Sequence, residues 1–250
     1  MKILVLQHIA CEPPAVYEDV MRERGAEIVR VELDEDETAP DWRGFDAIVA
    51  MGGPMGVYEE DAHPWLVDEK ALIGEAVRAG RPFFGACLGV QLLAASLRAR
   101  VYPGAIPEVG VLDVGLTPDG AADPLFAGLP ATMRSLQWHG DTFDLPDGAV
   151  RLLTNAAYEN QAFRWGDVAY GVQFHLEVDE ALGTEWATVP AYERSAEIAL
   201  GPGGLDRILA DFRAHAGEMQ ANARILIGRW LDLVERDIAA RAAAAGAAAR

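Results

Sequence analysis

The chain has 250 residues, 51% of them hydrophobic, and a formal net charge of −18 at pH 7. This length suits one large α/β domain, or one domain with an added subdomain, and allows a substantial hydrophobic core. The acidic charge argues against binding to nucleic acid or to anionic membranes, and no apolar run approaches membrane-spanning length, so we expect a cytoplasmic enzyme of small molecules.

Strand and helix patterns alternate through the first half of the chain. Apolar segments predict strands at residues 2–7, 27–32, 46–51 and 83–86. A helix over 65–78 is favoured by Pro64 at its start and Gly80 after its end. The acidic run Asp34–Glu37 is interpreted as a solvated loop. The alternation predicts a doubly wound, mostly parallel sheet, in which functional groups collect at the carboxyl ends of the strands.

A glycine-rich loop, Gly52–Gly56, follows the third predicted strand. Such a loop can present backbone N–H groups to a developing negative charge, although a tight turn between strand and helix is an equally good interpretation. The loop has neither the glycine spacing of a dinucleotide site nor the Gly-Lys-Ser/Thr ending of a P-loop, so the sequence gives little support to either.

The most informative segment is Phe83–Gln91, a buried strand that leads through Cys87 into an apolar helix. Glycines two residues before and after the cysteine allow a sharp turn that exposes a nucleophile. The first turn of the following helix favours the thiolate, while the alternative is a small buried cysteine. A disulfide with Cys11 would consume the nucleophile, so both thiols are expected to be reduced.

The second half predicts shorter, partly antiparallel strands in the same domain. They are placed at residues 109–116, 132–138, 150–155, 161–165 and 168–174. In a strand that continues to Glu177, His175 and Glu177 point to the same face. A thiolate nucleophile needs a base and an orienting carboxylate, so Cys87, His175 and Glu177 fill three complementary roles.

The segment after Glu177 is rich in helical patterns. Helices are predicted near 205–215 and 219–238, and the alanine-rich tail 239–250 is expected to fray. An apolar stripe that includes Leu226 and Trp230 favours packing against the domain over docking of a partner. These helices could also roof the pocket. No spacing of His, Cys and Asp is typical of a metal site, and we expect no metal and no cofactor.

Four segments, in this order, resemble the class I (triad-type) glutamine amidotransferases, and most of all the glutaminase domain of GMP synthase and its stand-alone relatives. They are Gly52-Gly53-Pro54, the elbow Gly85–Gln91, His139-Gly140-Asp141-Thr142 and Phe174–Glu177. The resemblance implies a flavodoxin-like class I glutaminase domain over residues 1–178. Residues 179–250 are then an extra C-terminal helical segment packed on the same domain.

The resemblance also assigns roles to individual residues. It makes Cys87 the nucleophile, His175 the general base and acid, and Glu177 its orienting group. The N–H groups of Gly53 and Leu88 would form the oxyanion hole. The residues that it places around the substrate are Gly52, Gln91, Trp138 and His139.

Two segments depart from the family pattern. Leu176 stands in place of a proline, which leaves both neighbouring triad residues unchanged. Gln137-Trp138 replaces the usual Met-Ser before the His-Gly-Asp segment, so the substrate pocket is partly rebuilt. The sequence therefore predicts the family's chemistry with an altered pocket.

The implied reaction is hydrolysis of the glutamine side-chain amide to glutamate and ammonia. The ammonia-using domain of GMP synthase carries an S-G-G-x-D-S loop that these residues lack. The expected role is therefore a glutaminase subunit that serves a separate synthetase, or a stand-alone enzyme. Two alternatives remain open: a γ-glutamyl hydrolase or peptidase, and a catalytically silent regulatory subunit.

Overall fold

The computed structural model describes residues 1–35 and 37–248, which form one nine-stranded sheet with helices around it. The strands are β1 (Lys2–Gln7), β2 (Glu27–Glu32), β3 (Ala47–Ala50), β4 (Phe83–Ala86), β5 (Val101–Leu116), β6 (Thr132–Phe143), β7 (Ala149–Thr154), β8 (Ala162–Trp165) and β9 (Ala169–Val172). The helices are α1 (Val16–Glu23), α2 (Trp65–Arg78), α3 (Leu88–Ser96), α4 (Pro118–Ala122), α5 (Glu180–Trp186), α6 (Pro190–Leu200) and α7 (Gly204–Ala248).

The strand order is β2-β1-β3-β4-β9-β8-β7-β5-β6. The strands from β2 to β9 in this order pair in parallel, and the remaining neighbours pair antiparallel. The predicted α/β fold with a doubly wound sheet is confirmed. Because parallel strands end at a common edge, the loop after β3 and the turn after β4 are neighbours, and this edge carries the candidate site.

Each face of the parallel half is covered by helices. On β1, Ile3 and Val5 pack into a core shared with α1 and α7, while Leu4 and Leu6 pack into a core shared with α2 and α3. All four side chains have no exposed surface. Burial on both faces is why this strand is a continuous apolar run rather than an alternating one.

The antiparallel half is more extensive than the sequence predicted. β5 begins at Val101 instead of residue 109, and its partner β6 continues to Phe143 instead of Trp138. The pairing is interrupted between Pro103 and Glu108, and prolines in this stretch obscured the strand pattern. A bridge between Leu136 and His175 joins β6 to the segment after β9. The sheet therefore curls so that its antiparallel end reaches the site.

The C-terminal segment also differs from the prediction. Residues 205–215 and 219–238 belong to one helix, α7, which passes through Gly217 without a break and extends to Ala248. Trp230 is fully buried and its ring centroid lies 5.8 Å from that of Phe84 on β4. The apolar stripe therefore packs against the sheet, as predicted.

Three residues lie outside the described part of the chain. The acidic run Asp34–Glu37 includes one of them, Asp36, while Asp34, Glu35 and Glu37 are exposed, as predicted for a solvated segment. The other two, residues 249 and 250, end the tail that was expected to fray, whose described part is helical. Among the described residues, no helix combines the length and apolar character needed to cross a bilayer.

Replacing Gly217 with alanine is expected to raise the free energy of unfolding. The residue is exposed in the middle of α7, and a β-carbon there would meet no atom within 4 Å. Alanine is favoured over glycine inside a helix by about 1 kcal/mol, because it loses less backbone entropy on folding. Urea denaturation of the Gly217→Ala variant measures this gain. A loss of stability would mean that α7 is not continuous at this point.

Candidate active site

Cys87 lies at the turn between β4 and α3, as the sequence predicted. Its φ and ψ angles are +54° and −108°, a conformation that costs energy for a residue with a side chain. Its backbone N–H donates to the carbonyl of Val172 on β9, over 2.9 Å. The strained turn is thus held between two strands and places the thiol at the carboxyl edge of the sheet.

His175 and Glu177 follow β9 rather than belonging to it, because β9 ends at Val172. The predicted strand over this segment is therefore wrong, although the predicted pairing of the two side chains is correct. Nδ1 of His175 lies 2.6 Å from Oε1 of Glu177. The backbone of His175 exchanges two hydrogen bonds with Leu136, of 2.9 and 3.0 Å, which hold this irregular segment in place.

Leu176, which replaces the family's proline, contributes to the same arrangement. Its backbone N–H donates to Oε2 of Glu177 over 3.0 Å. A proline has no N–H and could not make this bond. Both carboxylate oxygens of Glu177 are therefore occupied, one by His175 and the other by the backbone. The substitution adds a hydrogen bond at a carboxylate that is 1% exposed.

The protonation of Cys87 and His175 is coupled. Burial would lower the pKa of His175, but the charge of Glu177 and hydrogen bonds to Cys87 and Glu177 hold this pKa well above 6.5. Burial raises the pKa of the Cys87 thiol, while its hydrogen bond to His175 and the Leu88 N–H oppose that rise. A protonated imidazole beside the sulfur is the arrangement that stabilises a thiolate nucleophile.

The predicted oxyanion-hole residues, Gly53 and Leu88, lie near Cys87. Leu88 is the first residue of α3, where a backbone N–H has no partner within its own helix. Gly53 is in the loop after β3, and a β-carbon on it would lie 3.1 Å from the Leu88 side chain. The loop after β3 therefore contacts the start of α3 beside the thiol. Gly53 and Cys87 also line one cleft of about 310 Å³.

The predicted substrate-binding residues are only partly gathered in this cleft. Gln91, Trp138 and His139 line it, whereas Gly52 does not and instead accepts a hydrogen bond from a buried histidine behind the loop. Gln91 donates to Oε1 of Gln173 over 3.1 Å. Gly52 is thus a support of the cleft and not part of its wall.

The imidazole of His139 is held by protein groups. Nδ1 lies 2.8 Å from the carbonyl of Asp141, and Nε2 lies 3.0 Å from Oε2 of Glu108. Glu108 is buried and also accepts hydrogen bonds from Gln161 and Asn155. Both ring nitrogens of His139 are therefore occupied by groups of the protein. The polar network beneath it fixes that wall.

Helix α6 covers one side of the cleft. Ala191, Tyr192 and Ser195 contribute to the lining. The indole N–H of Trp138 donates to Oγ of Ser195 over 2.7 Å, which ties the helix to β6. The substituted residue Trp138 is therefore the one that anchors the roof.

Trp186 of α5 completes the wall behind His175. Its ring stands edge-on to the imidazole, with centroids 4.8 Å apart and an interplanar angle of 83°. Its N–H donates to the carbonyl of Cys11 over 2.6 Å. The C-terminal helices therefore contact both the cleft and the proposed general base.

Two buried groups next to the site, His8 and Glu12, were not among the predicted site residues. Both ring nitrogens of His8 are occupied by protein groups. Glu12 accepts a hydrogen bond from the hydroxyl of Tyr192, and a β-carbon on Gly52 would collide with its other oxygen. Their position in the sequence could have indicated them, because both residues follow strand β1, and functional groups gather at the carboxyl ends of parallel strands.

The Glu12→Gln variant tests the charge state of this carboxyl group through the pH dependence of stability. Burial raises the pKa of Glu12 above its ordinary 4.5, although the charge of His175 and the Tyr192 hydrogen bond oppose the rise. A raised folded-state pKa contributes stability that is present below 4.5 and is lost as the pH rises through the folded value. Glutamine keeps the acceptor for Tyr192 without the charge.

We therefore expect the Glu12→Gln variant to gain stability relative to the wild type as the pH rises from 4.5 to 8. Urea denaturation across this range measures the difference. The Glu218→Gln variant, at an exposed position on α7, controls for loss of one negative charge from an acidic protein. A relative loss of stability at high pH would show that the Glu12 carboxylate is stabilised by the fold.

No group of three or more His, Cys, Asp or Glu side chains within residues 1–35 and 37–248 is placed to hold a metal ion. The cleft is instead lined by a thiol, backbone groups of glycines, aromatic rings and amides. This set of groups can attack a carbonyl carbon and stabilise the negative charge that develops on its oxygen.

The family model for glutamine amidotransferase class-I matches residues 16–186. The amidotransferase-like protein YfeJ of Salmonella typhimurium is 30% identical over 181 residues, which cover 71% of this chain and 76% of that protein. A glutamine-hydrolyzing GMP synthase subunit from Natronomonas pharaonis is 35% identical over 153 residues, 60% of this chain and 76% of that protein. The match to the GMP synthase of Thermomicrobium roseum, 35% identical over 148 residues, spans 59% of this chain and only 26% of that longer protein.

Solved structures give the same result. A glutamine amidotransferase from Thermotoga maritima superposes with a TM-score of 0.81 at 33% identity, covering 92% of this chain and 97% of that one. A glutamine amidotransferase from Methylobacillus flagellatus gives a TM-score of 0.83 at 26% identity, covering 92% and 94%. The resemblance inferred from four short motifs is confirmed over most of the chain. The protein belongs to the class I glutamine amidotransferase family.

Proposed function

We propose that this protein hydrolyses the side-chain amide of L-glutamine through a thioester on Cys87, releasing glutamate and ammonia. The observation that carries the proposal is the convergence of Cys87, His175 and Glu177 from two separate segments, with Cys87 in the lining of a cleft. Family membership gives the reaction class, and the geometry supports the individual roles.

In the first half-reaction the Cys87 thiolate attacks the amide carbon, and the carbonyl oxygen takes up negative charge. The N–H groups of Gly53 and Leu88 stabilise that oxyanion. Protonated His175 gives its proton to the amide nitrogen, the C–N bond breaks, and ammonia leaves. Glu177 stabilises the imidazolium before the transfer and keeps the ring oriented after it.

In the second half-reaction neutral His175 takes a proton from water, and the hydroxide attacks the thioester carbon. The C–S bond breaks, glutamate departs, and the pair returns to thiolate and imidazolium. This step consumes one water molecule, but bulk water in the cleft would weaken the stabilisation of the oxyanion. The cover that α6 provides over the cleft fits that need. We therefore propose that residues 179–250 act as an extension that roofs the active site of the domain 1–178.

The substrate's backbone groups are proposed to bind along the wall that Gln91, Trp138 and His139 form. Gly52 supports this wall from behind. The thiol chemistry and the free Cys11 and Cys87 fit a reducing compartment, which we propose to be the cytoplasm.

The released ammonia is proposed to serve a separate synthetase protein. Support comes from relatives in Natronomonas pharaonis and Sulfolobus acidocaldarius that are named as glutamine-hydrolyzing subunits of GMP synthase. A γ-glutamyl hydrolase is the second candidate, and one observation favours it. Trp138 is one of the residues at which the sequence departs from the family pattern, and its hydrogen bond to Ser195 gives the pocket a different wall there.

A chloroketone analogue of glutamine, glutamine itself and a series of γ-glutamyl peptides separate these candidates. We expect the chloroketone to alkylate Cys87, as mapped by peptide mass spectrometry, and glutamine to be turned over. Turnover of γ-glutamyl peptides alone would select the hydrolase. A folded protein that shows neither an adduct nor turnover would be a regulatory subunit, and the proposed function would be wrong.

A further inference from the structure

A buried histidine stands behind the glycine loop that the proposed mechanism uses. His8 follows β1 directly and has no exposed surface. Its Nδ1 lies 3.1 Å from the carbonyl oxygen of Gly52, and its Nε2 lies 2.8 Å from Oε1 of Glu69 on α2. The ring stacks on Trp65, with centroids 5.5 Å apart and an interplanar angle of 20°. Three contacts therefore fix one imidazole.

The proton on Nδ1 follows from the partners. A carbonyl oxygen can only accept, so Nδ1 must carry hydrogen to bond Gly52. Whether Glu69 is ionised or protonated, Nε2 is satisfied and Nδ1 remains the donor. The pKa of His8 is raised, since the charge and hydrogen bond of Glu69 outweigh the effect of burial. The donor to Gly52 is thus present in every state that the contacts allow.

The hydrogen bond to Gly52 also orients the next N–H group. The Gly52 carbonyl and the Gly53 N–H belong to one planar trans peptide, in which they point in opposite directions. A carbonyl that points to His8 turns the N–H away from His8, towards the cleft that Gly53 and Cys87 line. Two consecutive glycines lack side chains that would restrict rotation of this peptide. The loop therefore needs an outside group to hold one orientation.

We propose that His8 is a positioning residue that holds the Gly52–Gly53 peptide with its N–H aimed at the oxyanion. Glu69 and Trp65 keep the imidazole in place, so an interaction between β1 and α2 sets the geometry of a loop that follows β3. The inference rests on the proposed function, because it gives the Gly53 N–H its purpose. In this role His8 stabilises the transition state of the reaction, whereas a purely structural ion pair would stabilise only the fold.

Two isosteric substitutions separate these roles. The amide nitrogen of asparagine occupies the position of Nδ1, whereas that of glutamine reaches the position of Nε2. His8→Asn therefore keeps a donor for Gly52 and loses the contact with Glu69, and His8→Gln does the reverse. If His8 only contributes to folding, the activity of each variant should fall in step with its loss of thermal stability. If it positions the peptide, only His8→Gln loses the donor that matters.

With purified full-length protein, we expect His8→Gln to lower kcat for glutamine about 100-fold, with KM changed less than about 3-fold, as for loss of one oxyanion donor. His8→Asn should keep kcat within about 10-fold of the wild type. An aldehyde analogue of glutamine forms an oxyanion-like adduct with the thiol, so its affinity should fall in His8→Gln while the affinity for glutamate does not. Equal losses of kcat in both variants, after correction for folded fraction, would overturn the proposal.

Crystals of the two variants provide a readout that does not depend on turnover. We expect the Gly52 carbonyl to leave the His8 side in His8→Gln and to stay in His8→Asn. An unchanged carbonyl in His8→Gln would overturn the inference. If the wild type neither hydrolyses glutamine nor binds the aldehyde, the proposed function fails, and the crystals still decide whether His8 orients the peptide.

Discussion

Replacing Cys87 with alanine is expected to reduce glutamine hydrolysis by about 10,000-fold or more. Removal of a catalytic nucleophile leaves only the catalysis that binding and oxyanion stabilisation provide, and such losses are of this order. The variant should still fold, because alanine removes a single sulfur from a side chain that is 6% exposed. Ammonia release, measured with a coupled assay, gives the rate, and alkylation by the chloroketone should disappear with it.

The protein's other cysteine provides the matched control. Cys11 is also buried, and burial together with the charge of Glu12 raises the pKa of its thiol to about 11. At Cys87 the hydrogen bond and charge of His175 oppose the rise in pKa, whereas no histidine is among the groups that shift the pKa of Cys11. Cys11 is therefore the weaker nucleophile at neutral pH, because the thiolate is the reactive form. The Cys11→Ala variant should therefore keep both turnover and labelling. Labelling that survives in Cys87→Ala but is lost in Cys11→Ala would show that the wrong cysteine has been assigned.

The sequence was sufficient to select the three residues of the proposed triad because its signals are local. Cys87 lies between two glycines at the end of a buried strand, and His175 and Glu177 are two residues apart, so each pattern is visible within a short segment. The parallel strands were equally visible, since burial on both faces produces continuous apolar runs. Even so, the segment of His175 was predicted as a strand. Its hydrogen bonds with Leu136 come from a distant hairpin that the local pattern does not contain.

The supports of the site were missed for the same physical reason. The contact of His8 with Glu69 joins residues 61 positions apart, and that of Glu12 with Tyr192 joins residues 180 positions apart. Neither pair has a spacing that a single element imposes, so only the folded topology brings them together. The continuous helix α7 was missed differently. Two helices were predicted, ending at 215 and beginning at 219, but packing of residues such as Trp230 against the sheet outweighs the modest cost of Gly217 inside one helix.

The second large effect is expected from Gly89→Ala, in the first turn of α3, the helix that follows Cys87. A β-carbon at this position would lie 2.1 Å from the carbonyl oxygen of Ala50 and 2.8 Å from the carbonyl carbon of the same residue. Both are backbone atoms of β3, so the clash cannot be relieved by rotating a side chain. Either α3 moves away from the sheet or the turn at Cys87 opens, and both changes lose packing in the core. We expect a loss of about 3 kcal/mol or more in the free energy of unfolding.

Urea denaturation measures this loss, and Gly217→Ala is the matched control because it makes the same change inside a helix with open space around it. The two substitutions should change the free energy of unfolding in opposite directions. Where enough Gly89→Ala folds to be assayed, its activity should fall further than its folded fraction, since a displaced α3 moves Cys87 and the Leu88 N–H together. A Gly89→Ala protein with wild-type stability and activity would contradict the close approach of β3 and α3. Without that approach the strained conformation of Cys87 would depend on its hydrogen bond to Val172 alone, because the same contact that excludes a methyl group also holds the elbow closed.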